Sequence, residues 1–219
     1  MKKVKHNIYS ALFLHVLLAF LLLHLSRYVF YIMNASHFSN LNFHDWINII
    51  KGGIKFDIAA ILYTNSIYIL LQIIPTKSRY TKLYRKSSRT VYLVFNGLML
   101  AFSTIDMIYF GFTLRRSTWM IFSEFSHDQN IVGIIFRAIL DFWYIIPIYL
   151  LFLIPLVLIY NFIERRIQAP VRQSYHKIGN GFFLILIPLL IVGGVRGDFK
   201  YTTRPITMSN AGEYVKNPA

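Results

Sequence analysis

The sequence predicts an all-α membrane protein of five transmembrane helices, with an external interfacial helical segment between the third and fourth helices. Three observations predict it. The 219 residues are 56% hydrophobic and 17% aromatic, with a mean hydropathy of +0.49, unlike a soluble domain. Five apolar runs reach the roughly 20 residues a helix needs to cross about 30 Å of hydrocarbon. Between them Lys and Arg bunch in alternate connections, as they do on the cytoplasmic side of multi-pass chains. The formal charge of +14 is therefore read as a topology signal and a source of anionic-lipid contacts, with no nucleic acid as partner. The absence of cysteine excludes disulfide and thiol chemistry, and seven scattered histidines make no metal-binding pattern.

The first run, near 8 to 33, follows the basic start MKKVKH. It is longer than the roughly 7 to 15 apolar residues of a secretory signal, so an uncleaved helix is expected. His24 and Arg27 share a face in its outer half, and His15 lies on the opposite face. The two histidines are thus not expected to form a ligand pair, and a lone membrane histidine reads first as a hydrogen-bonded structural residue.

The second and third runs, near 54 to 74 and 90 to 111, carry polar stripes. At about 100° per residue, Asp57, Thr64, Asn65, Tyr68 and Gln72 fall within about a third of the second helix's circumference. Tyr92, Asn96, Ser103 and Asp106 make a comparable stripe on the third. Polar stripes in lipid must face protein or water, so the two helices are expected to pair antiparallel, with Asp57 and Asp106 at a similar depth near the outer surface. Both carboxylates have a structural reading as well. Asp57 would lie in the first turn of its helix, where the macrodipole favours it, and Asp106 would pair with Arg115 or Arg116.

The third connection, FTLRRSTWMIFSEFSHDQNIVGIIFRAILDFW, mixes aromatic and charged residues. Trp119, Phe122 and Phe125 share one face, with Arg115, Arg116, Glu124 and Arg137 as a polar boundary, the pattern of interfacial helices on the outer leaflet. Arg115 and Arg116 are candidates to hold a lipid phosphate by paired hydrogen bonds, against the alternative of snorkelling to ordinary head groups. Lys55, Asp57 and Asp106 complete the head-group candidates. The fourth span is expected from Asp141 to about 162, with Trp143 and Tyr144 as belt aromatics and bends at Pro147 and Pro155; the fifth covers 178 to 195.

Lys2, Lys3 and Lys5, the cluster Lys77, Arg79, Lys82, Arg85, Lys86 and Arg89, and the group Arg165, Arg166, Arg172 and Lys177 belong inside by the charge rule. The N-terminus is then cytoplasmic and the polar tail from 196 to 219 external. The sequence holds no phosphate-cradling glycine loop, nucleophile elbow, metal-binding helix or internal repeat, so no catalytic residue and no metal ligand is assigned.

The segments GGIKFDIAAILYTNSIYILLQIIP (52 to 75), STIDMIYFGFTLRRST (103 to 118), LDFWYIIP (140 to 147) and RPITMSNAGEYVKNPA (204 to 219) resemble the N-terminal part of lipoteichoic acid synthase-like proteins. The likeness is to the sulfatase-annotated members of the Bacteroidetes. It implies a five-helix anchor at 1 to 195 in the bacterial cytoplasmic membrane and the start of an external linker at 196 to 219. It further implies a following alkaline-phosphatase-like domain in which a threonine nucleophile and a divalent metal, commonly manganese, transfer a phospho-group from a membrane lipid. By the same likeness the chain is expected to stop before that domain, so it carries no cofactor and no catalytic role falls on Thr202, Thr203 or Thr207. The implied partners are anionic glycerophospholipid and the absent catalytic domain. The alternative is a stand-alone membrane transporter or scaffold subunit.

Overall fold

In hydrocarbon a backbone must satisfy its own hydrogen bonds, which leaves helices as the form open to these apolar runs. The computed structural model describes residues 8–38, 42–74, 81–114, 137, 140–166 and 192–193, and every regular element among them is helical. Helix α1 spans Ile8–Met33, matching the first apolar run. It closes on Asn34, whose side-chain amide donates to Phe30 O at 3.0 Å and Met107 O at 2.9 Å, and a 3-10 turn follows at Ala35–Phe38.

Helix α2, Phe43–Thr64, begins well before the expected start at 54. The first part of it, FHDWINIIKGG, is too polar to register as an apolar run, yet it opens on a recognisable cap: the Asn42 N–H donates to the Asp45 carboxylate at 3.1 Å. A short helix α3, Ser66–Ile73, continues after a 58° bend at Asn65. The span expected at 54 to 74 is therefore a broken one, and Asp57 sits deep inside α2, away from any helix start. Its macrodipole reading fails for that reason.

Helix α4, Lys82–Thr113, is 32 residues long and takes in Lys82, Arg85, Lys86 and Arg89, which composition assigned to a connection. Basic residues are good helix formers, so charge marks the membrane boundary without ending the helix. Thr81 caps its start, accepting from the Tyr84 N–H at 3.4 Å, and Leu114 ends it in the left-handed region at φ 53°, donating to Phe110 O at 2.8 Å. Helix α5 spans Ile145–Glu164. Pro147 lies in its first turn, where a missing N–H costs nothing, so of the two prolines expected to bend the helix only Pro155 falls in its interior.

Helices α1, α4 and α5 are each long and apolar enough to cross a membrane, and the bent pair α2–α3 passes the same test taken together. The chain is thus an all-α protein compatible with a multi-pass membrane topology. The fifth run at 178 to 195, save Val192 and Gly193, lies outside the described residues. So do the segment from 115 to 136 with Arg115 and Arg116, the tail from 196, and Lys77 and Arg79.

Helix α1 is the common partner, packing on α4 and α5 and also on α2 and α3. Arg85 of α4 donates to Glu164 of α5 at 2.8 Å, and the Tyr84 hydroxyl donates to Leu71 O of α3 at 2.6 Å. The starts of α1 and α4 and the ends of α3 and α5 therefore share one end of the bundle, called the lower end below. The core between them holds Leu12, Ala19 and Phe30 of α1 with Ile61, Leu100, Phe110 and Leu156, while Phe13, Leu21, Leu25, Ile105, Leu151 and Leu158 point outward.

Candidate functional site

Polar side chains inside an apolar bundle must find partners or cost several kcal/mol each, so their partners show how the stripes are used. Two clusters form, both on α1. The positions 15 and 24 are nine residues apart, half a turn out of phase, and α1 has neighbours on both sides to receive them.

The first cluster lies toward the lower end. The His15 Nδ1 is 2.7 Å from the Tyr68 hydroxyl, and the Tyr92 hydroxyl donates to the His15 carbonyl at 2.8 Å. The imidazole stacks on Tyr160 with ring centres 4.2 Å apart, and Tyr92 stacks on the same tyrosine at 4.8 Å. His15 Nε2 has no partner among the described residues. One helical turn up α4, Asn65 and Asn96 exchange amide hydrogen bonds at 3.0 and 2.7 Å. Each uses its remaining N–H on a backbone carbonyl, Ile61 O at 3.0 Å and Tyr92 O at 2.8 Å. Both asparagines are buried, and the pair fastens the bend at Asn65 to α4. Gln72 donates to Ser88 at 2.9 Å below them.

The second cluster lies toward the upper end and carries charge. Asp57, 2% exposed, accepts from Arg27 Nη2 on one carboxylate oxygen. On the other it accepts from Arg27 Nε at 3.3 Å and from His24 Nδ1 at 2.9 Å. A carboxylate accepts only, so Nδ1 carries a proton, and His24 Nε2 lies 3.1 Å from the Tyr28 hydroxyl. Gly53 matters here for lack of a side chain: a Cβ would stand 3.1 Å from Arg27 Nε, so the guanidinium lies close across the α2 backbone and any side chain at 53 would press on it. His24 and Arg27 remain 17% and 25% exposed.

The sequence-derived site residues distribute between these clusters and beyond them. Asn65, Tyr68, Gln72 and Asn96 do meet along the α3–α4 contact, with Tyr92 among them. Ser103 instead reaches α1, lying 2.8 Å from the Ser26 hydroxyl, and Asp57 and Tyr68 also find their partners there. The expected pairing of the second and third runs with each other is thus one part of the packing, because α1 receives Asp57 and Tyr68 from one stripe and Tyr92 and Ser103 from the other. Thr64 and Lys55 are half-buried on α2, and Asp106 is half-buried on α4. Arg115 and Arg116 lie outside the described residues.

Arg27 and His24 are the functional candidates that the stripes did not nominate. Their shared face was visible, but nothing in a linear pattern pairs that face with position 57. No family model, curated protein or solved structure matches the chain. Among the described residues no three His, Asp or Glu side chains converge as metal ligands would, so no metal chemistry is derived for them.

Proposed function

We propose that the chain is the membrane anchor and lipid-presenting domain of a lipoteichoic acid synthase-like protein. That protein would be a phosphoglycerol or other phospho-group transferase, or a sulfatase-family hydrolase, acting outside the bacterial cytoplasmic membrane. In that arrangement the run at 178 to 195 is the fifth crossing, the N-terminus is cytoplasmic, and the upper end of the bundle faces outward. The sequence likeness supplies the family, and the distribution of polar groups supports the role.

The observation that carries the role is asymmetry along α1. The polar groups around His15 inside the bundle are neutral and enclosed, with Tyr68, Tyr92 and Tyr160 each at most 1% exposed, and the Arg85–Glu164 pair stands below them at the rim. Toward the upper end Arg27, ion-paired to Asp57, keeps an open flank. A surface that meets lipid head groups needs polar access at its own end, and the open flank of Arg27 supplies it. On this reading phospho-transfer is the work of a following domain, where the family's threonine nucleophile and divalent metal would reside.

An immunoblot of host membranes with an antibody to residues 204–219 tests this. A native product much heavier than 25.7 kDa is expected. A native product of 25.7 kDa overturns the anchor role and leaves a stand-alone transporter or scaffold subunit.

A further inference from the structure

A buried ion pair is a poor stabiliser, because desolvation offsets most of the attraction, and in a membrane the cost rises further. The Asp57–Arg27 pair therefore calls for a purpose beyond holding α1 to α2. What the carboxylate achieves is a fixed guanidinium. It takes Nε and one N–H of Nη2, His24 holds the shared oxygen, and Gly53 leaves the space in which the group lies. A guanidinium has five N–H donors; two are taken by Asp57, and the rest make no hydrogen bond to a described residue. The Arg27 side chain as a whole is 25% exposed.

Depth and surroundings identify what those donors meet. Arg27 lies 19 residues beyond Ile8, about 28 Å along the helix at 1.5 Å per residue, close to the roughly 30 Å thickness of the hydrocarbon. With Ile8 at the lower boundary, Arg27 stands at the upper one, where lipid phosphates sit. Ile54 and Ile58, next in sequence to Gly53 and Asp57 on α2, are exposed apolar side chains, a flank for acyl chains and not for water. An unheld arginine would snorkel away from such a flank; this one is kept on it.

We propose that Arg27, positioned by Asp57, His24 and Gly53, binds the phosphate of one glycerophospholipid on the α1–α2 flank. The site rests on the lipid-presenting role above and supplies its residues. A guanidinium edge matches two phosphate oxygens in a way an ammonium cannot.

The test uses the purified full chain in nanodiscs, with phosphatidylglycerol or diacylglycerol of the same acyl chains as probe, and lipid retained through repurification as readout. Selective retention of phosphatidylglycerol is expected, and R27K and R27Q should each lower it by about tenfold. D57N should lower it too, although it adds one positive charge, because it frees the guanidinium. Retention in D57N equal to or above the parent's would show simple charge attraction and overturn the site, as would full retention in R27K. G53A keeps every charge and presses one methyl on the guanidinium, so a several-fold loss is expected; full retention in a G53A protein that matches the parent in helix content would overturn the site even where D57N fails to fold. Displacement of phosphatidylglycerol by millimolar inorganic phosphate would make this a soluble-phosphate site and overturn the lipid assignment. A heavy native product together with unchanged R27K retention would remove this site alone. A 25.7 kDa product together with lost R27K retention would remove the enzyme-anchor role alone.

Discussion

The two polar clusters on α1 solve the same problem by opposite means. Around His15 and Asn65–Asn96 the groups are uncharged and enclosed by Tyr68, Tyr92 and Tyr160, and the amide pair has its donors spent within the bundle. Around Asp57 a carboxylate–guanidinium ion pair is flanked by His24, and Arg27 and His24 remain partly open. Neutral networks that are fully satisfied specify how helices pack at modest cost. An ion pair in the same bundle costs more and leaves spare donors. The difference separates a part of the molecule that fixes architecture from a part that can recognise a ligand.

Breaking one side of the charged cluster should have the largest effect on stability. Asp57→Leu strands Arg27 without a counter-charge and is expected to cost about 3–5 kcal/mol, read as a fall in unfolding midpoint in detergent. The double variant Asp57→Leu/Arg27→Met should recover most of that loss. If it does not, the pair is a net stabiliser and the contrast with the neutral cluster weakens.

The neutral cluster should respond more gently. Asn96→Leu leaves buried donor and acceptor groups of Asn65 unmet, for about 2 kcal/mol. Adding Asn65→Leu should cost less than the sum of the two single changes, since the partners fall together. Strict additivity would mean that the amide pair does not act as a unit.

His15→Phe keeps the stack on Tyr160 but removes the partner of the Tyr68 hydroxyl, and about 1 kcal/mol is expected. Smallest of all should be Arg85→Gln at the lower end, where Arg85 is 41% exposed beside Glu164. Solvent screening limits that pair to well under about 1 kcal/mol, and raising the salt concentration should erase the difference from the parent.

Much of this was legible in the residues. Ile8–Met33 appears in full as an apolar run, and the core of α4 and of α5 appears with its ends displaced, because hydropathy marks hydrocarbon while helices run on through Lys82 to Arg89 until a cap stops them. The beginning of α2 was missed although Asn42 and Asp45 announce it, since a window tuned to apolar runs passes over an amphipathic start. The break at Asn65 left no mark that distinguishes it from any polar residue in a stripe. Asp57 was nominated by its charge but explained by the wrong helix end, and that error followed directly from the missed start.

By itself the sequence determined that the chain is helical and suited to membranes, and which residues are polar enough to need partners there, because apolar run length and 100° periodicity are properties of the chain alone. Only the tertiary structure decided which partners they have. His24 and Arg27 stand 33 and 30 residues from Asp57, and they meet it because α1 offers one face to α2 and the opposite face to α4 and α5. Side-chain pairing between helices depends on which faces meet and at what height, and no local pattern within either helix records that.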